Sequence, residues 1–350
     1  MNRGDPNLVL TIGPGALPPE PALVTVVIVS YNSGPILQRS LEAMAAQSER
    51  RFRAVVVDND SSDGWAASLR LPDARFVLVC SRRNLGFAAG VNLGAALIPS
   101  PWVATLNPDA LPDKNWLAEL LAVARAHPQA AAVGSLQVFM SDPKIIDGAG
   151  DCYHFSGTAW RGGHGQPLGS LPKVAEVFSP CAAAALYDGA AFREIGGMYE
   201  RLFCYMEDVD LGFRLRLTGR VCLQANRARV LHQGDVSGAG ASGLARRLGF
   251  RNRLWVLARD MPGLLLWLAW PWWLLAQVVL LLQAAGQGQG AQAWQGLSEG
   301  VRGLGKVWAQ RRAVQASRTV SLTRLVQAMT WSPLAALRRD TCFRRRFPKA

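Results

Sequence analysis

The feature that most constrains the fold is a succession of apolar strands, each followed by a break and a helical pattern. The first, Val24-Thr-Val-Val-Ile-Val-Ser30, is an almost unbroken β-branched run, which is typical of a strand buried on both faces of a parallel sheet. Further strands are predicted at 52–57, 76–80 and 102–109. This alternation of strands and helices over roughly 110 residues is the βαβ rhythm of a doubly wound, nucleotide-binding α/β fold.

The glycines of the third helical stretch argue against two common classes of nucleotide-binding protein. Gly86, Gly90 and Gly94 recur at every fourth position, which differs from the G-x-G-x-x-G of a dinucleotide site, and the sequence has no G-x-x-x-x-G-K-[ST] motif. Neither a nicotinamide dehydrogenase nor a P-loop NTPase is supported. The glycines could serve close helix packing, and Arg82 and Arg83, which precede them, could reach a diphosphate.

The strand predicted at 102–109 ends in two oxygen-bearing side chains around a proline. Pro108 fixes its own φ and favours an extended Asn107, so the strand should stop there. Asn107 and Asp109 then lie at the carboxyl end of a strand, where ligands bind in open α/β sheets. Their oxygens suit a hard cation such as Mg²⁺ or Mn²⁺. Asn-Pro-Asp is also ordinary turn chemistry, so the motif alone leaves both interpretations open.

A second cluster of acids lies farther along the chain. Glu207, Asp208 and Asp210 stand where an apolar helical pattern begins. Acids in a first turn favour the helix dipole, but paired acids in apolar surroundings also separate in pKa, so that one becomes a usable base. His232 follows a short strand predicted at 229–231. A single histidine is more often structural than a ligand, yet this one follows a strand end, as Asn-Pro-Asp does.

The cysteines and the N-terminal segment bear on the compartment. The six cysteines lie far apart, without a C-x-x-C pair, which fits reduced thiols in the cytosol. Residues 1–23 are rich in Pro and Gly and show no basic segment followed by an apolar one, so we expect a flexible leader and no secretory signal. The Gly-rich irregular region at 147–171 either lines a pocket or packs on its own aromatic side chains.

The C-terminal part combines an apolar segment with a basic arm. Residues 264–285 are 22 residues without a charge and include four tryptophans; as a helix they would be ~33 Å long, enough to cross a bilayer. A buried core helix is the alternative. Of the net charge of +13, residues 302–350 carry +11. Anionic membrane headgroups account for such an arm, and no nucleic-acid-binding motif accompanies it.

Five motifs follow one another in a recognisable order. They are Ser30-Tyr-Asn32, Asp58-Asn-Asp-Ser-Ser-Asp-Gly64, Asn84-Leu-Gly-Phe-Ala-Ala-Gly-Val-Asn92, Asn107-Pro-Asp109 and Glu207-Asp-Val-Asp210. Their order and spacing resemble the inverting family-2 glycosyltransferases, most of all the rhamnosyltransferase-like branch. The resemblance covers residues 24–260 in a single register and implies a GT-A-type fold that binds a nucleotide-diphosphate sugar.

The resemblance also implies roles for the nucleotide-side residues of these motifs. Ser30 and Asn32 would line the base and ribose pocket. Asp58 would accept a hydrogen bond from the N3–H of the pyrimidine. Asn84 and Asn92 would sit near the nucleotide.

The metal and the catalytic base follow in the same way. Asp109 matches the last aspartate of the family's D-x-D metal motif, whereas Asn107 departs from the first, so Asp109 would carry Mg²⁺ or Mn²⁺ more nearly alone. His232 falls where relatives place an additional metal ligand. Asp208 falls at the general base. The neighbouring acids Glu207 and Asp210 would position the acceptor.

The chain should therefore consist of a leader at 1–23, a GT-A-type domain at 24–260, an apolar membrane-associated segment at 261–286 and a basic helical tail at 287–350. A processive polysaccharide synthase would show a Q-x-x-R-W motif and several membrane helices, so we expect transfer of a single sugar. The best guess for the donor is dTDP-rhamnose, and the acceptor would be a lipid-linked saccharide.

Three alternatives accompany this interpretation. The donor could be UDP-galactofuranose or a UDP-N-acetylhexosamine, because sugar specificity lies in loops such as 147–171. A protein of another class, a catalytically silent sugar-nucleotide-binding scaffold at the membrane, is disfavoured by the intact acids at 109, 208 and 210.

We expect the protein on the cytoplasmic face of the plasma membrane, held by a monotopic or re-entrant segment. A full span would carry the basic tail to the opposite side.

Overall fold

The structure, a computed structural model, describes residues 8–16, 21–234 and 242–344. Its strands are β1 (Leu8–Ile12), β2 (Val24–Ser30), β3 (Phe52–Asn59), β4 (Phe76–Ser81), β5 (Trp102–Leu106), β6 (Ala110–Pro112), β7 (Ala130–Phe139), β8 (Ile146–Gly148), β9 (Asp151–Tyr153), β10 (Ala159–Arg161), β11 (Val174–Val177), β12 (Ala184–Asp188) and β13 (Val221–His232). Its helices are α1 (Ile36–Ala45), α2 (Trp65–Ser68), α3 (Phe87–Leu97), α4 (Trp116–Ala126), α5 (Gly189–Glu194), α6 (Glu207–Leu217), α7 (Ser242–Asp260), α8 (Gly263–Gly286), α9 (Gly290–Ala316), α10 (Leu322–Ala328) and α11 (Pro333–Arg338).

The main sheet is mixed, in the order β1-β4-β3-β2-β5-β12-β7-β13-β11. The four strands predicted first, β2 to β5, are parallel neighbours, and β12 lies antiparallel between β5 and β7. The α/β architecture expected from the sequence is confirmed. β13 runs parallel to β7 with an irregularity between Ala225 and Arg229. It is therefore one long strand rather than the short segment predicted at 229–231.

The sheet separates two apolar layers because successive side chains along each central strand point to opposite faces of the sheet. Val26 and Ile28 of β2 face the layer that contains α1 and α4, whereas Val27 and Val29 face the layer of α3, α5 and α6. A Cβ at Gly94 would lie 2.5 Å from Val27. The glycines of α3 thus let this helix approach β2 closely. Their spacing serves close helix packing, which the sequence left open.

Two predicted terminal segments are more ordered than expected. The leader predicted at 1–23 contains β1, whose apolar residues pair antiparallel with the edge of β4; residues 1–7 and 17–20 lie outside the described part. The C-terminal tail folds back on the sheet. Trp160 Nε1 donates to the Asp340 carbonyl at 3.0 Å, and the backbones of Glu176 and Arg344 exchange two hydrogen bonds. The basic tail, as far as residue 344, is therefore packed against the α/β domain.

Helix α8 is long and apolar enough to cross a membrane, judged by length and composition alone, with a mean hydropathy of 1.9 over its most apolar window. It lies against the rest of the chain along one stripe with a spacing of four residues. Leu265, Ala269, Trp273 and Gln277 form this buried stripe. Only 22 % of the apolar window is buried, so α8 is not a core helix.

Candidate active site

The first group of predicted site residues meets at the carboxyl ends of β2 and β3. Ser30 and Asp58 are register partners in the parallel ladder, because both strands end at the same edge of the sheet. Asn32 has a left-handed backbone, with φ 50°, and its Oδ1 accepts from the N–H of Ser62 at 2.8 Å. The loops after the two strands are thereby tied together. Burial raises the pKa of Asp58, although hydrogen bonds from Ser61 act to lower it.

Asn84 and Asn92 lie beside this edge, and both make internal hydrogen bonds. Asn84 Oδ1 accepts from Asn59 Nδ2 and from the N–H of Gly86, both at 2.9 Å. Asn92 pairs with the backbone of Met198, donating to its carbonyl and accepting from its N–H, each at 2.8 Å. These contacts fix the loops around α3. The expected position of Asn84 and Asn92 near the nucleotide stays a prediction.

A second group forms where β5 ends and β13 ends. The strand stops at Leu106, and the short β6 then pairs Ala110 with His232. His232 Nε2 therefore lies 3.3 Å from Asp109 Oδ1 and 3.3 Å from the side-chain nitrogen of Asn107. The structure thus brings together the three residues that the sequence nominated for a cation.

Asp147 completes this group, and the sequence did not single it out. It is 1 % exposed, and its Oδ2 lies 2.7 Å from His232 Nδ1 and 2.9 Å from Arg161 Nη1. Burial acts to raise the pKa of Asp147, but hydrogen bonds from His164 and His232 hold it well below its usual range. A buried carboxylate on one ring nitrogen fixes the orientation of a histidine whose other nitrogen is to bind a metal.

The donors in this group fit a divalent cation. Asp109 is partly exposed and offers a carboxylate, His232 presents Nε2 to the same point, and Asn107 adds an amide. Burial lowers the pKa of His232, but hydrogen bonds to Asp109 and Asp147 outweigh burial and raise it to about 9. The positive charge of the protonated His232 balances the two carboxylates. A bound cation would take the place of this proton as their counter-charge.

The third group begins α6, after a strained loop. Phe203, Tyr205 and Met206 all have a left-handed backbone, with φ between 66° and 71°, a conformation that non-glycine residues rarely adopt and that clusters at functional sites. Asn252 on α7 holds the loop. Its Nδ2 donates to the carbonyls of Leu202, Cys204 and Tyr205 at 2.9, 2.9 and 2.7 Å. The helix start is therefore fixed by a residue 47 to 50 positions downstream of the carbonyls it binds, which sequence spacing does not reveal.

Asp208 is half-buried in the first turn of α6. Its Oδ1 accepts from the N–H of Val209 at 2.8 Å and its Oδ2 from the N–H of Ala182 at 3.2 Å. Burial raises the pKa of Asp208 against these bonds. The side chain of Glu207 is buried, and burial and the neighbouring Asp208 raise its pKa well above the usual range. Burial thus raises the pKa values of both adjacent acids, and that of Glu207 more strongly. The assignment of Asp208 as the base stays a prediction.

Asp210 has a different environment from the one expected. It is 0 % exposed, and its Oδ2 accepts from Arg214 Nε and Nη2 at 2.8 and 2.6 Å. Its Oδ1 is bound by Arg259 of α7. Because ion pairs engage both oxygens, the acceptor-positioning role expected for Asp210 does not match its surroundings. The residue ties α6 to α7.

Comparison with known proteins gives these groups a context. Residues 25–195 match the family described as Glycosyl transferase family 2. The chain is 32 % identical over 242 residues to the N-acetylglucosaminyl-diphospho-decaprenol L-rhamnosyltransferase of Mycobacterium tuberculosis H37Rv, covering 60 % of this chain and 76 % of that protein. It is 27 % identical over 217 residues to the galactofuranosyltransferase GlfT1 of Mycolicibacterium smegmatis, covering 58 % of this chain and 70 % of the relative.

Two solved structures share the fold. GalNAc-T7 with UDP, GalNAc and Mn²⁺ superposes with a TM-score of 0.56 and 17 % identity, over 69 % of this chain and 48 % of that chain. The mannosyltransferase PcManGT from Pyrobaculum calidifontis, in complex with GDP-Man and Mn²⁺, gives a TM-score of 0.51 and 17 % identity, over 88 % and 89 %. The expected GT-A-like fold is confirmed. The chain belongs to glycosyltransferase family 2.

Proposed function

We propose that this glycosyltransferase moves a single sugar, with inversion, from a nucleotide-diphosphate sugar to a lipid-linked saccharide of the cell envelope. The observation that carries the proposal is a chain of contacts that joins two unlike groups. Asp208 is a half-buried carboxylate oriented by two N–H groups, and it lies within 4.8 Å of Asp151, which is opposite Arg161 in its ladder. Arg161 and His232 both bind Asp147. His232 with Asp109 would hold a cation. An inverting transfer needs a base for the acceptor and charge compensation for the departing diphosphate.

Each group of residues has one task in this reaction. Ser30, Asn32 and Asp58 bind the nucleotide at the ends of β2 and β3. Asp208 takes the proton of the acceptor hydroxyl while that oxygen bonds to the anomeric carbon and the bond from this carbon to the diphosphate oxygen breaks. The N–H groups that hold Asp208 leave it one orientation.

Asp109 and His232, with Asn107 beside them, would hold the divalent cation, Mg²⁺ or Mn²⁺. When bound, the cation compensates the charge of the diphosphate. The Mn²⁺ present with GalNAc-T7 and with PcManGT supports metal dependence. Glu207 remains our candidate for contacting the acceptor, because it precedes the base in the same turn.

dTDP-rhamnose is the proposed donor, because the relative from M. tuberculosis is named as an L-rhamnosyltransferase. UDP-galactofuranose is the second candidate, since GlfT1 proteins also match. The test is transfer to an N-acetylglucosaminyl-diphospho-polyprenol with Mn²⁺, comparing dTDP-rhamnose, UDP-galactofuranose and UDP-N-acetylhexosamines. Product from dTDP-rhamnose alone is expected. Product from another donor would replace the sugar, and binding without any product would favour the silent scaffold.

The exposed face of α8 supports a membrane surface as a further partner. Trp267 is 80 % exposed, and Trp272 and Leu282 are more than half exposed, although the opposite stripe is packed on the protein. Exposed basic residues follow in the tail. They are Arg302, Lys306, Arg312, Arg318, Arg324, Arg338 and Arg339. A helix that packs along one side and presents tryptophans on the other fits monotopic attachment, with the basic tail against anionic headgroups, each charge near the surface adding about 1 kcal/mol.

Topology can be tested in intact cells. A single cysteine at the C-terminus of a cysteine-free variant should resist an impermeant thiol reagent until lysis, since the tail would stay cytoplasmic. A matched variant carries its only cysteine at Lys114, which is exposed on the catalytic domain. Labelling of the C-terminal cysteine alone would mean that α8 spans the membrane. Labelling of both would place the catalytic domain outside.

A further inference from the structure

A buried carboxylate, Asp151, lies beside the half-buried Asp208. One oxygen of Asp151, one of Asp208 and the Cys181 Sγ lie within 4.8 Å of one another. Asp151 is held in place by Ser179, whose Oγ donates to Asp151 Oδ2 at 3.1 Å and whose carbonyl accepts from the Asp151 N–H at 2.8 Å. Two carboxylates this close and this buried repel each other when both are ionised. One carboxyl of such a pair takes up a proton. Burial and the neighbouring Asp208 raise the pKa of Asp151 well above its usual range, so Asp151 holds that proton.

Arg161 supplies a positive charge beside this pair. It lies opposite Asp151 in the β9–β10 ladder, and its Nη1 is 2.9 Å from Asp147 Oδ2. Its side chain is 37 % exposed, whereas Asp147 is almost fully buried. Burial raises the pKa values of Asp151 and Asp208, and the charge of Arg161 lowers both.

We propose that Arg161 is a positioning residue for the general base: its positive charge keeps Asp208 ionised beside Asp151, and its ion pair with Asp147 fixes the guanidinium for that task. The inference rests on the proposed function, because it takes Asp208 as the base. Asp147 also holds His232. One arginine therefore joins the cation side of the site, meaning Asn107, Asp109 and His232, to the base side around Asp208.

The other ionisable groups around Asp208 do not supply a positive charge to it. These groups are Glu207 and Asp210 on α6, Asp151 on β9, Cys181 before β12, Tyr187 in β12 and Cys204 before α6. Burial raises the pKa values of the two thiols and the phenol, so they are uncharged at neutral pH. The charge of Asp210 is compensated by Arg214 and Arg259.

The test is the pH dependence of kcat/KM for the acceptor. Without the guanidinium the pKa of Asp208 rises, and because the base must be ionised, Arg161→Met should move the acid limb to higher pH by about one unit. At a pH below the limb, this shift lowers kcat/KM about tenfold. Arg161→Lys keeps a charge and should move the limb less. Arg220→Met is the matched control, since Arg220 is similarly exposed and pairs with Glu194 on the surface; its limb should match wild type. An unmoved limb in folded Arg161→Met overturns the inference.

Two further variants separate this inference from the proposed function. If Asp208→Asn keeps the wild-type acid limb, the base lies elsewhere and the proposed mechanism fails. If Asp208→Asn loses the limb while Arg161→Met keeps it, only the role of Arg161 is wrong. Should Arg161→Met not fold, Arg161→Gln removes the charge and keeps a hydrogen bond to Asp147. Its limb should also move to higher pH, and an unmoved limb would equally overturn the inference.

Discussion

The cation side and the base side of the site are built in different ways. On the cation side, Asp109 and His232 stand at the ends of strands whose positions are set by the ladder between β6 and β13. On the base side, Asp208 starts a helix after a loop with three left-handed residues, and a side chain of α7 holds that loop. The first half is fixed by sheet register, and the second by a tertiary contact.

This difference in construction implies a difference in how each half responds to mutation. Register is maintained by many backbone hydrogen bonds, so a change on the cation side should alter chemistry while the local geometry survives. The loop before α6 is maintained by a few bonds against backbone strain, so a change behind it should alter geometry first. Mutations on the two sides therefore test whether cation binding and turnover respond independently.

The largest effect is expected at Asp109. Asp109→Ala should abolish metal-dependent binding of the donor, because the cation loses its main carboxylate and the diphosphate loses its counter-charge. Calorimetry of the nucleoside diphosphate with and without Mn²⁺ measures this directly. Asp142→Asn, an exposed aspartate near the same part of the chain, serves as the control and should bind as wild type. Unchanged metal-dependent affinity in Asp109→Ala would remove Asp109 from the site.

Asp208→Asn should separate binding from turnover. The amide keeps the shape of the carboxylate but takes no proton, so donor affinity should survive while turnover falls by about 10²–10⁴-fold. Single-turnover kinetics at saturating donor report the chemical step. Turnover near wild type would place the base elsewhere; Asp210 would then be a poor substitute, because it is fully buried and bound by two arginines.

A smaller effect is expected behind the cation-binding histidine. Asp147→Asn leaves a group that can still accept from His232 but removes the charge that orients the ring, so Mn²⁺ affinity should fall by about 10–100-fold. Folding should be retained, with unfolding followed by circular dichroism. If Mn²⁺ affinity were unchanged, Asp147 would not support the site, and the cation side would depend on the strand ends alone.

The sequence anticipated the two halves to different extents. Asn107, Asp109 and His232 could be predicted because a strand end is a local pattern, and parallel strand ends converge at one edge. Asp147 and Arg161 were missed, since a Gly-rich stretch has no period that says which polar side chain turns inward. Asp210 was expected to contact the acceptor because motif position does not show that two arginines engage it.

The base side shows the same limit at Asn252. Nothing in the spacing of α7 marks one asparagine among its polar residues as the support for a loop 47 to 50 residues earlier. That loop then determines where α6 begins and which way Asp208 faces. The predictable part of the site is the part that secondary structure positions, and the remainder depends on tertiary hydrogen bonds.

Asn252→Ala tests that last dependence and should give the smallest effect. Three carbonyls would lose their donor, which costs about 1–3 kcal/mol of stability. Hydrogen exchange should rise at residues 203–206 and kcat should fall severalfold, while Mn²⁺-dependent nucleotide affinity stays at the wild-type value because the cation side is held independently. Asn226→Ala is the matched control, since Asn226 Nδ2 likewise donates to a loop carbonyl, that of Pro172 at 2.7 Å, and a similar loss of stability there should leave kcat unchanged. Equal loss of metal affinity and turnover in Asn252→Ala would show that the two halves are one cooperative unit and would break the contrast between them.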